Sequence, residues 1–123
     1  YERQFISRKI ENNKIMEQLT YLLDEYFLSG KSQQYGLPTV AWCAGNLHIS
    51  PNYFGDLVKK YSGHSAQEYI KSTIIDYAKL LLANNSYQVN EIAYKLGFKY
   101  PQHFSRLFKQ REGLSPSQYR ATK

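Results

Sequence analysis

The chain has 123 residues, with 16 Lys and Arg against 10 Asp and Glu and a net charge of +6. Its length suits one compact domain or two very small ones, and 42% apolar with 21% charged residues describes a globular chain, not a disordered one. The single cysteine, Cys43, excludes a disulfide framework and a multi-cysteine zinc site, and no apolar run approaches the ~20 residues needed to span a bilayer. No signal peptide is visible, and the chain begins at Tyr1 without Met, which predicts a piece of a longer protein.

Residues 1–9 read as the remnant of an interdomain linker. Residues 10–28 carry Ile15, Leu19, Leu22, Leu23, Tyr26 and Phe27 on one face of an amphipathic helix, with Gly30 as its stop. The Gly-, Ser- and Gln-containing stretch 29–38 reads as a loop. Thr39 caps a short helix to about residue 46, its inner face formed by Val40, Cys43, Ala44 and Leu47. Ser50, followed by Pro51 at the first helical position, caps a second helix with Phe54, Leu57, Val58 and Tyr61 buried and Gly63 as terminator.

Ser65 and Glu68 form a capping box that opens a long helix to about residue 83, with Ile70, Ile74, Tyr77, Ala78, Leu81 and Leu82 on its periodic face. A short helix follows from Val89 to Leu96, then a turn at Gly97 and a helix from Pro101 to about Arg111, ended by Gly113. Ser115 and Gln118 form a second capping box before a short last helix. No segment alternates long enough for a strand, so the expected fold is all-α with about seven helices.

An internal repeat organises these elements. Val40, Cys43, Ala44, Leu47 and Ile49 recur 49 residues later as Val89, Ile92, Ala93, Leu96 and Phe98. Pro51, Phe54, Leu57, Lys59, Gly63, Ser65 and Tyr69 recur 50 residues later as Pro101, Phe104, Leu107, Lys109, Gly113, Ser115 and Tyr119. Each copy has the pattern of a helix-turn-helix, in which a small Ala faces inward and a Gly opens the tight turn. His48 stands where the second copy has Gly97, so the first turn is expected to differ slightly. The charge follows the repeat. Five bases balance five acids through residue 38, whereas residues 39–123 hold eleven bases and five acids, and so carry the whole +6. An excess of base points to an acidic partner such as nucleic acid, although surface Lys also serves plain solubility.

The run Glu91-Ile92-Ala93-Tyr94-Lys95-Leu96-Gly97-Phe98, then Tyr100-Pro101-Gln102-His103-Phe104-Ser105-Arg106-Leu107-Phe108-Lys109, then Gly113-Leu114-Ser115-Pro116-Ser117-Gln118-Tyr119-Arg120, resembles the DNA-binding domain of the AraC/XylS family of bacterial transcription regulators. The first copy, 47–69, also matches. The resemblance implies a homeodomain-like, all-α domain of two helix-turn-helix units, 39–65 and 85–123, joined by a rigid linker helix at 66–84 and preceded by the helix and loop at 10–38. It implies two recognition helices in successive major grooves of double-stranded DNA, and an N-terminal sensing or dimerisation domain outside this chain. Such a regulator works in the bacterial cytoplasm at the nucleoid. RNA polymerase is a further partner in prospect, because the 10–28 helix could either pack on the first unit or contact the polymerase.

A recognition helix turns its N-terminal end toward base edges. In the second copy, removing the apolar stripe leaves Gln102, His103, Ser105, Arg106 and Lys109 facing outward. Gln102 and Arg106 lie four apart on one face, Gln suited to adenine and Arg to guanine; in the family the equivalent positions commonly touch bases. In the first copy Asn52 can read adenine and Tyr53 can stack on a sugar or meet a thymine methyl. Asp56 can either accept from cytosine N4 or pair with Lys59 or Lys60, and Gly55 offers no side chain. That half is expected to lean on DNA shape. Phosphate anchors are expected among Thr39, Ser50, Lys59, Lys60, Lys99, Tyr100, Lys109 and Arg111.

Trp42 reads as a core or semi-buried residue and Cys43 as a small core residue, and His48, His64 and His103 lack metal-ligand spacing. No cofactor motif or catalytic arrangement of Ser/His/Asp, Cys/His, paired carboxylates or phosphate loop is visible. The cations form no amphipathic stripe suited to a membrane. The competing function is a protein-interaction module that keeps the fold and has lost DNA contact in one or both units.

Overall fold

Punctuation by caps and glycines divides the chain into helices. The computed structural model describes the backbone of residues 2–123 and the side chains of residues 10–123. The elements are α1 (Glu2–Leu28), α2 (Lys31–Tyr35), α3 (Val40–Asn46), α4 (Pro51–Ser62), α5 (Ala66–Leu82), α6 (Val89–Leu96), α7 (Pro101–Glu112) and α8 (Pro116–Ala121), with no strand among the described residues.

The cap residues make the expected bonds. Thr39 Oγ1 accepts from Trp42 N at 3.0 Å, Ser50 Oγ from Tyr53 N at 3.1 Å and Ser65 Oγ from Glu68 N at 3.2 Å. Ser115 and Gln118 complete a reciprocal capping box at 3.1 and 2.9 Å. A bond of the same kind that the sequence reading missed opens α6, where the Gln88 N–H donates to Glu91 Oε1 at 3.1 Å.

Two expectations change. α1 starts at Glu2 instead of residue 10 and takes in residues expected as a linker remnant, since no Gly or Pro precedes Gly30 to interrupt the helix. The expected loop 29–38 contains α2, which makes eight helices among the described residues. Ser32 explains it: fully buried, it donates from Oγ to the Lys95 carbonyl at 2.7 Å. A contact 63 residues away in sequence thus overrides a local composition that favours a loop.

The fold divides into two compact units. The first comprises α1 up to Glu25 together with Pro38–Lys71. Its core is Leu19, Leu23, Cys43, Ala44, Phe54, Leu57, Val58, Ala66 and Ile70. The second comprises Tyr26–Leu37 and Ser72–Lys123. Its core includes Ile74, Ile75, Ala78, Leu82, Ile92, Ala93, Leu96, Phe98, Phe104 and Phe108. Phe98, Phe104, Phe108 and Tyr119 form a chain of ring contacts with centroids 5.4, 5.9 and 5.4 Å apart. Each fully buried Phe contributes about 1.5–3 kcal/mol by leaving water. Ile75, absent from the expected periodic face, is also buried. Arg120 closes α5 from 38 residues away, donating from Nε to the Leu82 carbonyl at 3.1 Å and from Nη2 to the Asn84 carbonyl at 3.3 Å. Lys79 on α5 pairs with Glu112 on α7, and this bond raises the Lys79 pKa above its ordinary value.

The two turns are built alike despite the difference in sequence. Ile49 N donates to the Ala44 carbonyl at 3.1 Å, and Phe98 N donates to the Ala93 carbonyl at 3.0 Å. Between them the chain takes a left-handed conformation, at His48 with φ 59° and at Gly97 with φ 107°. A left-handed L-residue costs roughly 1–2 kcal/mol, partly offset because Gly loses more freedom on folding. His48 is exposed, so replacing it removes little packing. His48→Gly is therefore expected to stabilise the first unit by about 0.5–1 kcal/mol. A urea midpoint for that unit that stays put or falls would contradict this origin of strain.

Candidate nucleic-acid interface

Each unit presents a twelve-residue helix after its turn, α4 in the first and α7 in the second. Both begin with Pro at the first position. Both end on a left-handed glycine, Gly63 at φ 79° and Gly113 at φ 78°, whose N–H binds the carbonyl of Lys59 or Lys109. The inner face of each helix is fixed by its core residues, which leaves the outer face for a partner.

On α7, Phe104 and Phe108 are fully buried, and Gln102, His103, Arg106, Lys109 and Gln110 are exposed. Gln102 and Arg106 lie one turn apart, about 6 Å along the axis. Lys109 continues the same stripe. Arg106 has no ion-pair partner among the described residues, so its five donors remain available. The His103 ring meets the Tyr100 ring edge-on at 5.3 Å, and Lys99 Nζ lies 5.6 Å from the Tyr100 ring centroid. Tyr100 occupies the cap position of α7 without a side-chain cap bond, unlike Ser50 on α4.

On α4, Asn52, Tyr53, Asp56, Lys59 and Lys60 are exposed and Gly55 is half-buried. Asp56 forms no salt bridge with Lys59 or Lys60 among the described residues, so its carboxylate stands free beside a glycine with open space around it. Tyr53 is not free at its tip: its hydroxyl donates to Asn12 Oδ1 on α1 at 2.7 Å. Tyr53 remains 42% exposed and can still meet a sugar or a methyl group.

The other expected anchors divide. Lys59, Lys60, Lys99 and Lys109 are exposed. The Thr39 and Ser50 oxygens accept their cap bonds, which leaves each hydroxyl proton to donate elsewhere. Arg111 is half-buried and donates from Nη1 to Ser72 Oγ at 3.3 Å. It is thereby engaged within the second unit, so it is the least available of the expected anchors. Cys43 is fully buried, and burial pushes its thiol up to about 12, which removes it as a nucleophile near neutral pH.

Asn12 is a residue of this region that the sequence alone did not single out. It lies on the apolar stripe of α1, seven residues before Leu19, and is 5% exposed. A polar residue on a buried stripe was the available signal.

The profile of the family described as "Helix-turn-helix domain" matches residues 43–122, about two thirds of the chain. The chain is 42% identical over 80 residues to the uncharacterized HTH-type transcriptional regulator YtdP of Bacillus subtilis, covering 65% of this chain and 10% of that protein. It is 28% identical over 110 residues to the arabinose operon regulatory protein of Escherichia coli, covering 89% of this chain and 35% of that protein. The chain thus spans only a small part of the length of these relatives. The DNA-binding domain of the global transcriptional factor AdpA, solved in complex with a target DNA, has the same fold, with a TM-score of 0.73 at 22% identity over 88% of this chain and 90% of that one. Two repeated helix-turn-helix units, matched caps and a family match over about two thirds of the chain make it a member of the AraC-type helix-turn-helix family.

Proposed function

We propose that the chain binds double-stranded DNA sequence-specifically, with α4 and α7 as recognition helices in successive major grooves. The exposed, unpaired Gln102 and Arg106 on one face of α7 carry this reading, because they supply bidentate partners for adenine and guanine in a unit with excess positive charge. His103, Asn52, Tyr53 and Asp56 are the further base-facing residues. Asp56, free of lysine, suits the amino group of cytosine and disfavours nearby phosphate. Thr39, Ser50, Lys59, Lys60, Lys99, Tyr100 and Lys109 hold the backbone, with Arg111 the weakest of these assignments. The fold shared with a domain solved on its target DNA supports the same reading.

In the longer protein this module would be governed by a separate sensing or dimerisation domain and would act on RNA polymerase in the bacterial cytoplasm; it has no catalytic role. Among the described residues no helix is long and apolar enough to cross a membrane.

In vitro site selection with this chain tests the reading. Two selected boxes about one helical turn apart are expected. One box would restrict base reading to a single unit, and no enrichment would favour a protein-interaction module. The phosphate assignments have their own test: Lys59→Ala is expected to lower the slope of log affinity against log salt by about one while leaving sequence preference intact. An unchanged slope removes Lys59 from the interface.

A further inference from the structure

We propose that Asn12 is a positioning residue for DNA reading by the first unit, acting through Tyr53. The inference rests on α4 being a DNA-facing helix. Asn12 lies on the buried side of α1 near Ile15, Met16 and Leu19, where an amide without a partner would be costly. Its Oδ1 instead accepts from the Tyr53 hydroxyl at 2.7 Å, a bond spanning 41 residues. Tyr53 is also held at its backbone, where its N–H donates to Ser50 Oγ at 3.1 Å. The residue is thus fixed at both ends while it stays 42% exposed in the first turn of α4, the part of a recognition helix nearest the bases.

This arrangement has two consequences for binding. The hydroxyl is withdrawn from hydrogen bonding to phosphate, so the ring acts through its face, on a sugar or a thymine methyl. The ring is also ordered before DNA arrives, which removes the entropic cost of fixing a free side chain on association. The second unit has no counterpart. His103 stands at the position of Tyr53 and meets the Tyr100 ring instead. The first unit needs such a device more, because Gly55 offers no side chain and Asp56 is repelled by phosphate.

The test measures binding to the selected site and to sites altered in only the α4 box or only the α7 box. Asn12→Leu keeps the bulk and removes the acceptor, Tyr53→Phe removes the donor, and Asn12→Asp keeps an acceptor. Asn12→Leu and Tyr53→Phe are each expected to lower discrimination in the α4 box by about five- to tenfold, the loss of one ordering hydrogen bond. Discrimination in the α7 box is expected to stay unchanged, the double variant to lose no more than either single one, and Asn12→Asp to restore the wild-type pattern. Equal losses in both boxes, or an Asn12→Asp as damaging as Asn12→Leu, would reduce Asn12 to a purely structural role and overturn the proposal. A Tyr53→Phe effect without an Asn12→Leu effect would also overturn it, because the hydroxyl would then contact DNA itself. A wild-type chain with no preference in the α4 box overturns the DNA reading of α4, and the proposal with it.

Discussion

Gly97→Ala is expected to destabilise the second unit by about 3–5 kcal/mol, a large part of the 5–15 kcal/mol that holds an ordinary domain together. Two effects act together there. Gly97 has φ 107°, a conformation that costs an L-residue roughly 1–2 kcal/mol. A Cβ at this position would also lie 2.6 Å from the Gly36 carbonyl carbon and 2.8 Å from both the Leu37 nitrogen and the Ser32 carbonyl oxygen. All three are backbone atoms, which cannot rotate aside as a flexible side chain would. Gly113→Ala separates the two effects, because Gly113 has φ 78° but nothing within 4 Å of the added carbon. It should cost about 1–2 kcal/mol, from backbone strain alone. Urea unfolding followed by amide exchange in the second unit measures both. If the two substitutions cost the same, the close approach of α2 contributes nothing to the requirement for glycine.

Arg106→Ala should have the opposite profile, with a large effect on binding and almost none on folding. Arg106 is exposed and lacks an ion-pair partner among the described residues, so its removal should change stability by no more than about 0.5 kcal/mol. If it reads a guanine bidentately, specific binding should weaken by about 1–3 kcal/mol and preference should relax at one base pair. Competition against shuffled sites distinguishes a base contact from a phosphate contact. An equal loss on selected and random DNA would assign Arg106 to the backbone and leave Gln102 as the main reader on α7.

How far these features were legible in the sequence depended on how local their causes are. Caps act over three residues, so Thr39, Ser50, Ser65 and Ser115 marked helix starts that the structure bears out. Gly63 and Gly113 marked ends in the same way. The repeat was legible because both copies solve the same packing problem with residues at the same spacing. The Gln88–Glu91 cap of α6 and the early start of α1 were missed although their causes are local, but the other misses depend on distant partners. Ser32 makes a helix of an expected loop by binding a carbonyl 63 residues on, and Arg120 caps α5 from 38 residues away. In the candidate interface, subtracting the apolar stripe left Gln102, His103 and Arg106 outside, where the structure has them exposed. The same subtraction could not reveal that Tyr53 is tied to Asn12 or that Arg111 is engaged by Ser72, because neither partner lies on the same helix.

The bond from Ser32 to Lys95 also sets an order in time. All the chain that builds the first unit has been made once residue 71 is reached, whereas 26–37 must wait for residues beyond 72. On a ribosome adding roughly 5–20 residues per second, α2 stays without its partner for some seconds after its own synthesis. Closing that long loop has an entropic penalty that rises only slowly with length, about 0.6 kcal/mol per doubling, so the delay comes from synthesis more than from search. The first helix-turn-helix can therefore be in place while the second is still being made, and the segment between α1 and α3 is the last early piece of chain to find its seat.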